Sequence, residues 1–346
     1  MRIFDGHNDL LLRLWQKNPA TAVSDFIDGR PEGQLDLPRM HDGGFAGGFF
    51  AMFAPPLTTK GALHDTLNPP PYPAVDPVGA QKSAWEMVDI FDRLVREVPN
   101  DGFRRCLNVA DIKGAIADGA IAAILHIEGA EAIGPDLSGL DEFHDRGLRS
   151  IGPLWSRPNI FGNGVPFAWP STADHGPGLT DAGRALVKAC NAKRILVDLS
   201  HLNLKGFWDV AKLTSAPLVA THSNVHALSP SSRNLGDDQL RAIGESKGMV
   251  GLNYAIDFLQ NDGSLSRAIP PERLIQHLEH MVRIAGEDCV GLGSDFDGAN
   301  IPEFMQDVSG LPRLVKAMEK AGFGKKLIAK ITHENWLRVL TLTWGA

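Results

Sequence analysis

The sequence predicts a (β/α)8 barrel of the TIM type. Three observations carry the prediction. Short apolar runs alternate with longer amphipathic runs along most of the chain, there are about eight of the short ones, and several end in a histidine or a carboxylate. Strands alternating with helices make parallel βαβ units, and eight such units close into a barrel. An open doubly wound sheet is the alternative. It ranks second because no GxGxxG turn follows the first apolar run, as a dinucleotide fold would require.

The elements follow in order. Residues 3–7 read as a first strand ending in His7-Asn8-Asp9, and 44–53 (GFAGGFFAMF) as a second, glycine-rich one. The proline-rich stretch 55–77 has almost no period and reads as a long loop. Residues 81–98 carry Trp85, Val88, Ile90, Phe91, Leu94 and Val95 at helical spacing. The run 121–127 (IAAILHI) is a strand ending at Glu128, and 148–154 is a weaker one. Residues 157–178, full of Gly and Pro, read as loop, and 181–192 as a helix capped by Thr180. Strands at 195–199, 218–220, 249–252 and 290–293 follow, with helical periods at 205–213, 237–243, 271–285 and 311–321. Neither a short repeat nor a linker divides the chain, so one domain over residues 1–346 is expected.

Composition narrows the function classes. With 43% apolar and 22% charged residues the chain is ordinary globular protein, long enough to build a core without disulfides. A formal net charge of −7 argues against nucleic acid or an anionic membrane as the main partner. Cys106, Cys190 and Cys289 are odd in number and far apart, which fits three reduced thiols. The N-terminus lacks the basic stretch, apolar run and cleavage site of a signal peptide, and no apolar stretch is long enough to span a bilayer, so a cytoplasmic location is expected.

The chemistry lies at the strand ends. His7 and Asp9 follow the first strand, Glu128 the third, His201 the fifth, His222 the sixth and Asp295 the eighth. In a strand, residues two apart share a face, so His7 and Asp9 can share one metal. In a closed barrel all these tips converge on one mouth, where barrel enzymes keep their sites. Imidazole with carboxylate, and no thiolate, suits Zn, Mn or Fe in a hydrolytic centre. Glu128 is the natural bridge between two ions, since each oxygen can hold one. Each residue alone has a plainer explanation: a core histidine at His201, a helix cap at Asp9, a solvated Glu128, a turn at Asp295 with Asp297-Gly298. Together those explanations fail, because five buried-type runs would all end in a metal-competent residue by accident. His226 stands at the edge of the expected site, and His126, inside the third strand, is a supporting residue at most.

The segments FDGHNDLLLR, DLPRMHDGGFAGGFF, HIEGAEAI, GLTDAGRALV, LVDLSHLN, ATHSNVHAL, SRNLGDDQL and GLGSDFDG resemble the membrane (renal) dipeptidase family of zinc metallopeptidases over nearly the whole chain. The resemblance implies a distorted (β/α)8 barrel with two zinc ions that hydrolyses free dipeptides, including those with a D-residue at the C-terminal position, by a metal-bridging hydroxide. It implies that His7, Asp9 and Glu128 hold one zinc, and Glu128, His201 and His222 the other. Asp295 would be the proton-transferring acid/base, and Arg233 would grip the substrate carboxylate, for which a guanidinium offers two parallel hydrogen bonds. Animal members carry a substrate-binding histidine after the fourth strand, where LRSIGPLWS places Trp155. Their secretion, disulfides and lipid anchor have no counterpart in this sequence.

A free dipeptide is thus the expected partner, with a homodimer as the candidate assembly. Two other readings compete. One is a related amidohydrolase acting on another amide, such as a β-lactam or an N-acyl amino acid. The other is a metal-binding protein without turnover, against which Asp295 beside a full ligand set speaks.

Overall fold

The computed structural model describes residues 2–55 and 66–345. Its eight barrel strands are β1 (Ile3–Asn8), β2 (Phe45–Phe53), β3 (Ile121–Glu128), β4 (Leu148–Gly152), β5 (Leu196–Val197), β6 (Val219–Ala220), β7 (Met249–Leu252) and β8 (Val290–Leu292). They pair in the order β5-β4-β3-β2-β1-β8-β7-β6, all parallel. A bridge from Asp198 to Val219, with the Leu199 N–H donating to the Val219 carbonyl at 2.8 Å, joins the two ends of the sheet and closes the barrel. The extra strand Phe103–Arg105 pairs with the first half of β3, while β4 pairs with its second half.

The helix expected at 81–98 spans Pro77–Glu97, because Asp76 accepts a hydrogen bond from the Gly79 N–H at 2.8 Å and Pro77 suits the first helical position. The loop expected at 55–77 therefore ends earlier, and its residues 56–65 lie outside the described residues. Thr180 caps its helix as expected, accepting from the Gly183 N–H at 3.1 Å. The loop expected at 157–178 contains a small hairpin, Pro158–Asn159 with Gly162–Asn163.

β1 departs from regular pairing. Asp5 pairs with Gly48 but Asn8 with Phe50, so three steps on β1 face two on β2. Such a bulge re-aims side chains beside a site. The strand also ends at Asn8, which places Asp9 at the start of the helix Leu10–Lys17. The two-residue alternation assumed for His7 and Asp9 is therefore the wrong reason for their proximity.

The floor of the barrel is filled by the helix Asn335–Trp344. Trp336 is fully buried, clusters with Phe4, Phe49 and Met249, and donates its indole N–H to the Leu292 carbonyl at 3.0 Å. A Cβ on Gly6 would run into the Thr221 carbonyl and the Trp336 ring, and one on Gly291 into Met249 and the same ring. Side chains thus plug one end of the barrel and leave the other for chemistry.

Candidate active site

The strand ends meet at the C-terminal mouth, and His7, Asp9, Glu128, His201, His222 and Asp295 are each at most 7% exposed. Glu128 is central. Its Oε1 lies 2.9 Å from His201 Nε2, 3.3 Å from His222 Nε2 and 3.7 Å from His7 Nε2. His7 Nε2 is also 3.3 Å from Asp9 Oδ2, and the His201 and His222 Nε2 atoms are 3.1 Å apart. His7, Asp9 and Asp295 present ligand-type atoms within 4.8 Å of one another, as do His7, Glu128 and His222. Asp9 makes no side-chain cap on the helix it precedes, so the capping explanation falls.

His201 and Asp295 both adopt left-handed backbone, at φ of 67° and 61°. That conformation is uncommon outside glycine and costs about 1–3 kcal/mol where the surroundings impose it. The turn reading of Asp295 is also partly right, because the Gly298 N–H donates to its carbonyl at 3.1 Å. The side chain, however, points into the site, where Asn253 Nδ2 donates to Oδ2 at 2.8 Å.

The imidazoles are held from behind. Ser156 Oγ lies 2.8 Å from His201 Nδ1, and Thr221 Oγ1 lies 2.8 Å from His222 Nδ1. Arg233, 3% exposed, is no surface cation. It donates to the His222 carbonyl at 2.9 Å and to Ser223 Oγ at 3.0 Å, and its Nε lies 3.2 Å from His201 Nδ1.

The charges ask for a cation. Burial pushes the Glu128 carboxyl up to about 8. Burial also opposes charge on His7, but Glu128 and Asp9 outweigh it and hold the imidazole at about 10. Burial, with His7 and Arg233 nearby, keeps His222 neutral by holding it well below its usual range. Three buried carboxylates around neutral and cationic imidazoles form a nitrogen and oxygen donor set that a divalent metal satisfies.

Trp155 is 3% exposed and lies at the mouth, its ring 5.9 Å from that of His201 and packed on Phe53 and Tyr72 at 4.9 Å. His126 is inside the barrel, its ring edge-on to His7 at 5.5 Å and its Nδ1 2.9 Å from Ser150 Oγ, so it supports the site rather than joining the donor cluster. His226 pairs its Nε2 with the Ser171 carbonyl at 2.8 Å and lines a cleft with Thr172, Leu204 and Asp237.

Sequence reading passed over Asn253, Asp198 and Ser156. Asn253 ends the seventh strand and fits the strand-end pattern, which would have found it. Asp198 is a carboxylate inside the apolar run ILVDL, which is itself a signal. Ser156 carries no such mark.

A parallel barrel with buried imidazoles and carboxylates at its mouth is the arrangement of a metal-dependent barrel hydrolase. The chain matches the membrane dipeptidase family (peptidase family M19) over residues 1–343, belongs to that family, and is a metallo-dipeptidase. It superposes on the crystal structure of dipeptidase AC, a metallo peptidase, with a TM-score of 0.95 and 50% identity, covering 100% of this chain and 99% of that one. A metallo peptidase from Rhodobacter sphaeroides, crystallised with a phosphinate mimic of the dipeptide L-Ala-D-Ala, gives a TM-score of 0.96 and 49% identity, with 99% of each chain covered. An uncharacterized Klebsiella pneumoniae protein in the pqqA 5' region is 44% identical over 260 residues, 75% of this chain and 96% of that protein.

Proposed function

We propose that this chain is a two-zinc enzyme that hydrolyses free dipeptides, including those with a C-terminal D-residue. The observation that carries the reading is Glu128, whose Oε1 lies within 3.7 Å of three imidazole Nε2 atoms and whose second oxygen leaves it able to serve another ion. His7, Asp9 and Glu128 would hold one zinc; Glu128, His201 and His222 would hold the other. The phosphinate mimic bound to the Rhodobacter sphaeroides protein supports the substrate class. When bound, the ions supply an acidified water and a Lewis acid for the scissile carbonyl.

The chain's own residues do the rest. Asp295, oriented by Asn253, takes the proton of the attacking water and delivers it to the leaving amine nitrogen. Arg233 binds the substrate's terminal carboxylate, and its buried setting strengthens that pairing. Trp155, with Phe53, Tyr72 and Phe167, forms an aromatic wall next to His201 that contacts a substrate side chain and keeps water out. Three buried, unpaired cysteines favour a reducing, cytoplasmic setting.

The test is elemental analysis and a substrate panel on one zinc-loaded preparation. The expected result is about two zinc ions per chain, as a shared carboxylate between two ligand sets implies. Free dipeptides such as L-Ala-D-Ala should turn over, and N-blocked dipeptides should not. One ion or fewer at saturating zinc refutes the dinuclear reading. Preferential hydrolysis of N-acyl amino acids or β-lactams replaces the substrate class.

A further inference from the structure

We propose that Asp198 and Thr221 are positioning residues that fix His222 in its Nδ1–H tautomer and so keep Nε2 bare toward Glu128; the consequence for metal rests on the reading of His222 as a ligand. Asp198 follows β5 at the seam where the barrel closes, is 1% exposed, and is anchored by its own N–H to the Ile151 carbonyl at 2.8 Å. Its Oδ1 accepts from the Ser200 N–H at 3.0 Å and the Thr221 N–H at 2.8 Å. Its Oδ2 lies 2.6 Å from Thr221 Oγ1, and that hydroxyl lies 2.8 Å from His222 Nδ1.

Proton counting decides the direction. A carboxylate only accepts, and a threonine hydroxyl has one proton. Two oxygens 2.6 Å apart with no proton between them would repel, so the Thr221 proton lies toward Asp198. Thr221 Oγ1 can then only accept from His222, which requires the imidazole proton on Nδ1. The Nε2 lone pair is left facing Glu128 Oε1 at 3.3 Å, available to a metal. Partners behind a ligating imidazole set its tautomer in this way. Nearby His126 does not compete, since its Nε2 is 3.8 Å from Asp198 Oδ2, beyond hydrogen-bond reach.

Asp198→Asn isolates the effect because it preserves shape and both backbone contacts while reversing one proton. The Asn oxygen still accepts from the Ser200 and Thr221 N–H groups, but its NH2 now donates to Thr221 Oγ1. The hydroxyl proton turns onto His222 Nδ1, and the imidazole proton moves to Nε2, where it blocks a metal. The experiment is long-range 1H–15N NMR of histidine-labelled, metal-free protein, with zinc affinity measured by chelator competition.

The parent should give the Nδ1–H pattern for His222 and Asp198→Asn the Nε2–H pattern. Zinc affinity at one position should fall by about 10–100-fold in that variant. Thr221→Ser keeps the hydroxyl and should retain the parental tautomer and affinity; Thr221→Val should lose both. Should Asp198→Asn fail to fold, the Ser and Val pair carries the same comparison. An Nδ1–H pattern with parental affinity in Asp198→Asn, or a Thr221→Ser variant that behaves like Thr221→Val, overturns the proposal. Zinc stoichiometry in His222→Ala tests the ligand reading separately, because the tautomer signal of the metal-free parent does not depend on it.

Discussion

Asp295→Asn separates proton transfer from metal binding. The substitution suits the structure. Asp295 has a φ of 61°, a conformation that asparagine tolerates at least as well as aspartate, so the backbone adds almost no cost. Its Oδ2 accepts from Asn253 Nδ2 at 2.8 Å, and an asparagine can keep that bond by turning its own oxygen there. The exchange weakens a charge-assisted hydrogen bond to a neutral one, about 1 kcal/mol of stability. What the variant cannot do is accept a proton. Removing a positioned acid/base lowers turnover by about 10²–10⁴-fold, which is about 2.7–5.5 kcal/mol of barrier. That kinetic term exceeds the stability term, so a folded, zinc-loaded and slow enzyme is expected. The assay is zinc content and dipeptide turnover on the same preparation. Turnover within a few-fold of the parent would refute the proton-transfer role; zinc lost in step with activity would make Asp295 a ligand instead.

Three further outcomes are expected. Arg233→Met should raise KM more than it lowers kcat, by a total of about 1.5–3 kcal/mol for a lost charge-assisted pair, and dipeptide amides should be poor substrates of the parent; amides cleaved as fast as free dipeptides would contradict the role. Gly298→Ala should damage the site more than the fold, because a Cβ there meets Asp295 Oδ1 at 2.7 Å and Asp9 Oδ2 closer still. Its zinc affinity should drop by about 5–150-fold, the equivalent of an overpacking cost of about 1–3 kcal/mol, and parental affinity would show that the loop yields freely. Metal loading at pH 7 should release protons, since burial pushes Glu128 up to about 8 while Glu128 and Asp9 hold His7 at about 10, so the metal-free pair carries at least one proton that a metal displaces. Affinity should therefore rise with pH through that range, and titration calorimetry in buffers of different ionisation enthalpy should count the protons; a count near zero would contradict the sign.

The sequence by itself determined the class of fold and named residues that the barrel mouth brings together. Burial leaves a local record: a strand covered on both faces reads as an apolar run, a surface helix as an amphipathic period, and the polar residue that ends such a run is conspicuous. That is why IAAILHIE and ILVDLSH announced their elements and Glu128 and His201 stood out. Short or weakly periodic elements leave little record. Phe103–Arg105, Val109–Asp118 and the floor helix Asn335–Trp344 were missed, though the last supplies Trp336.

Only the tertiary structure decided how the site residues meet. A register shift between β1 and β2 spans His7, and Asp9 opens a helix instead of continuing the strand. His201 and Asp295 take left-handed backbone, at φ of 67° and 61°, which no periodicity in the sequence announces. The pairs that orient the chemistry join residues far apart in the chain: Asn253 to Asp295, Ser156 to His201, Asp198 to Thr221. Periodicity reports whether a side chain is buried, but not which distant side chain it faces. That distance is set by closure of the barrel, which is a property of all eight strands at once and of no segment alone.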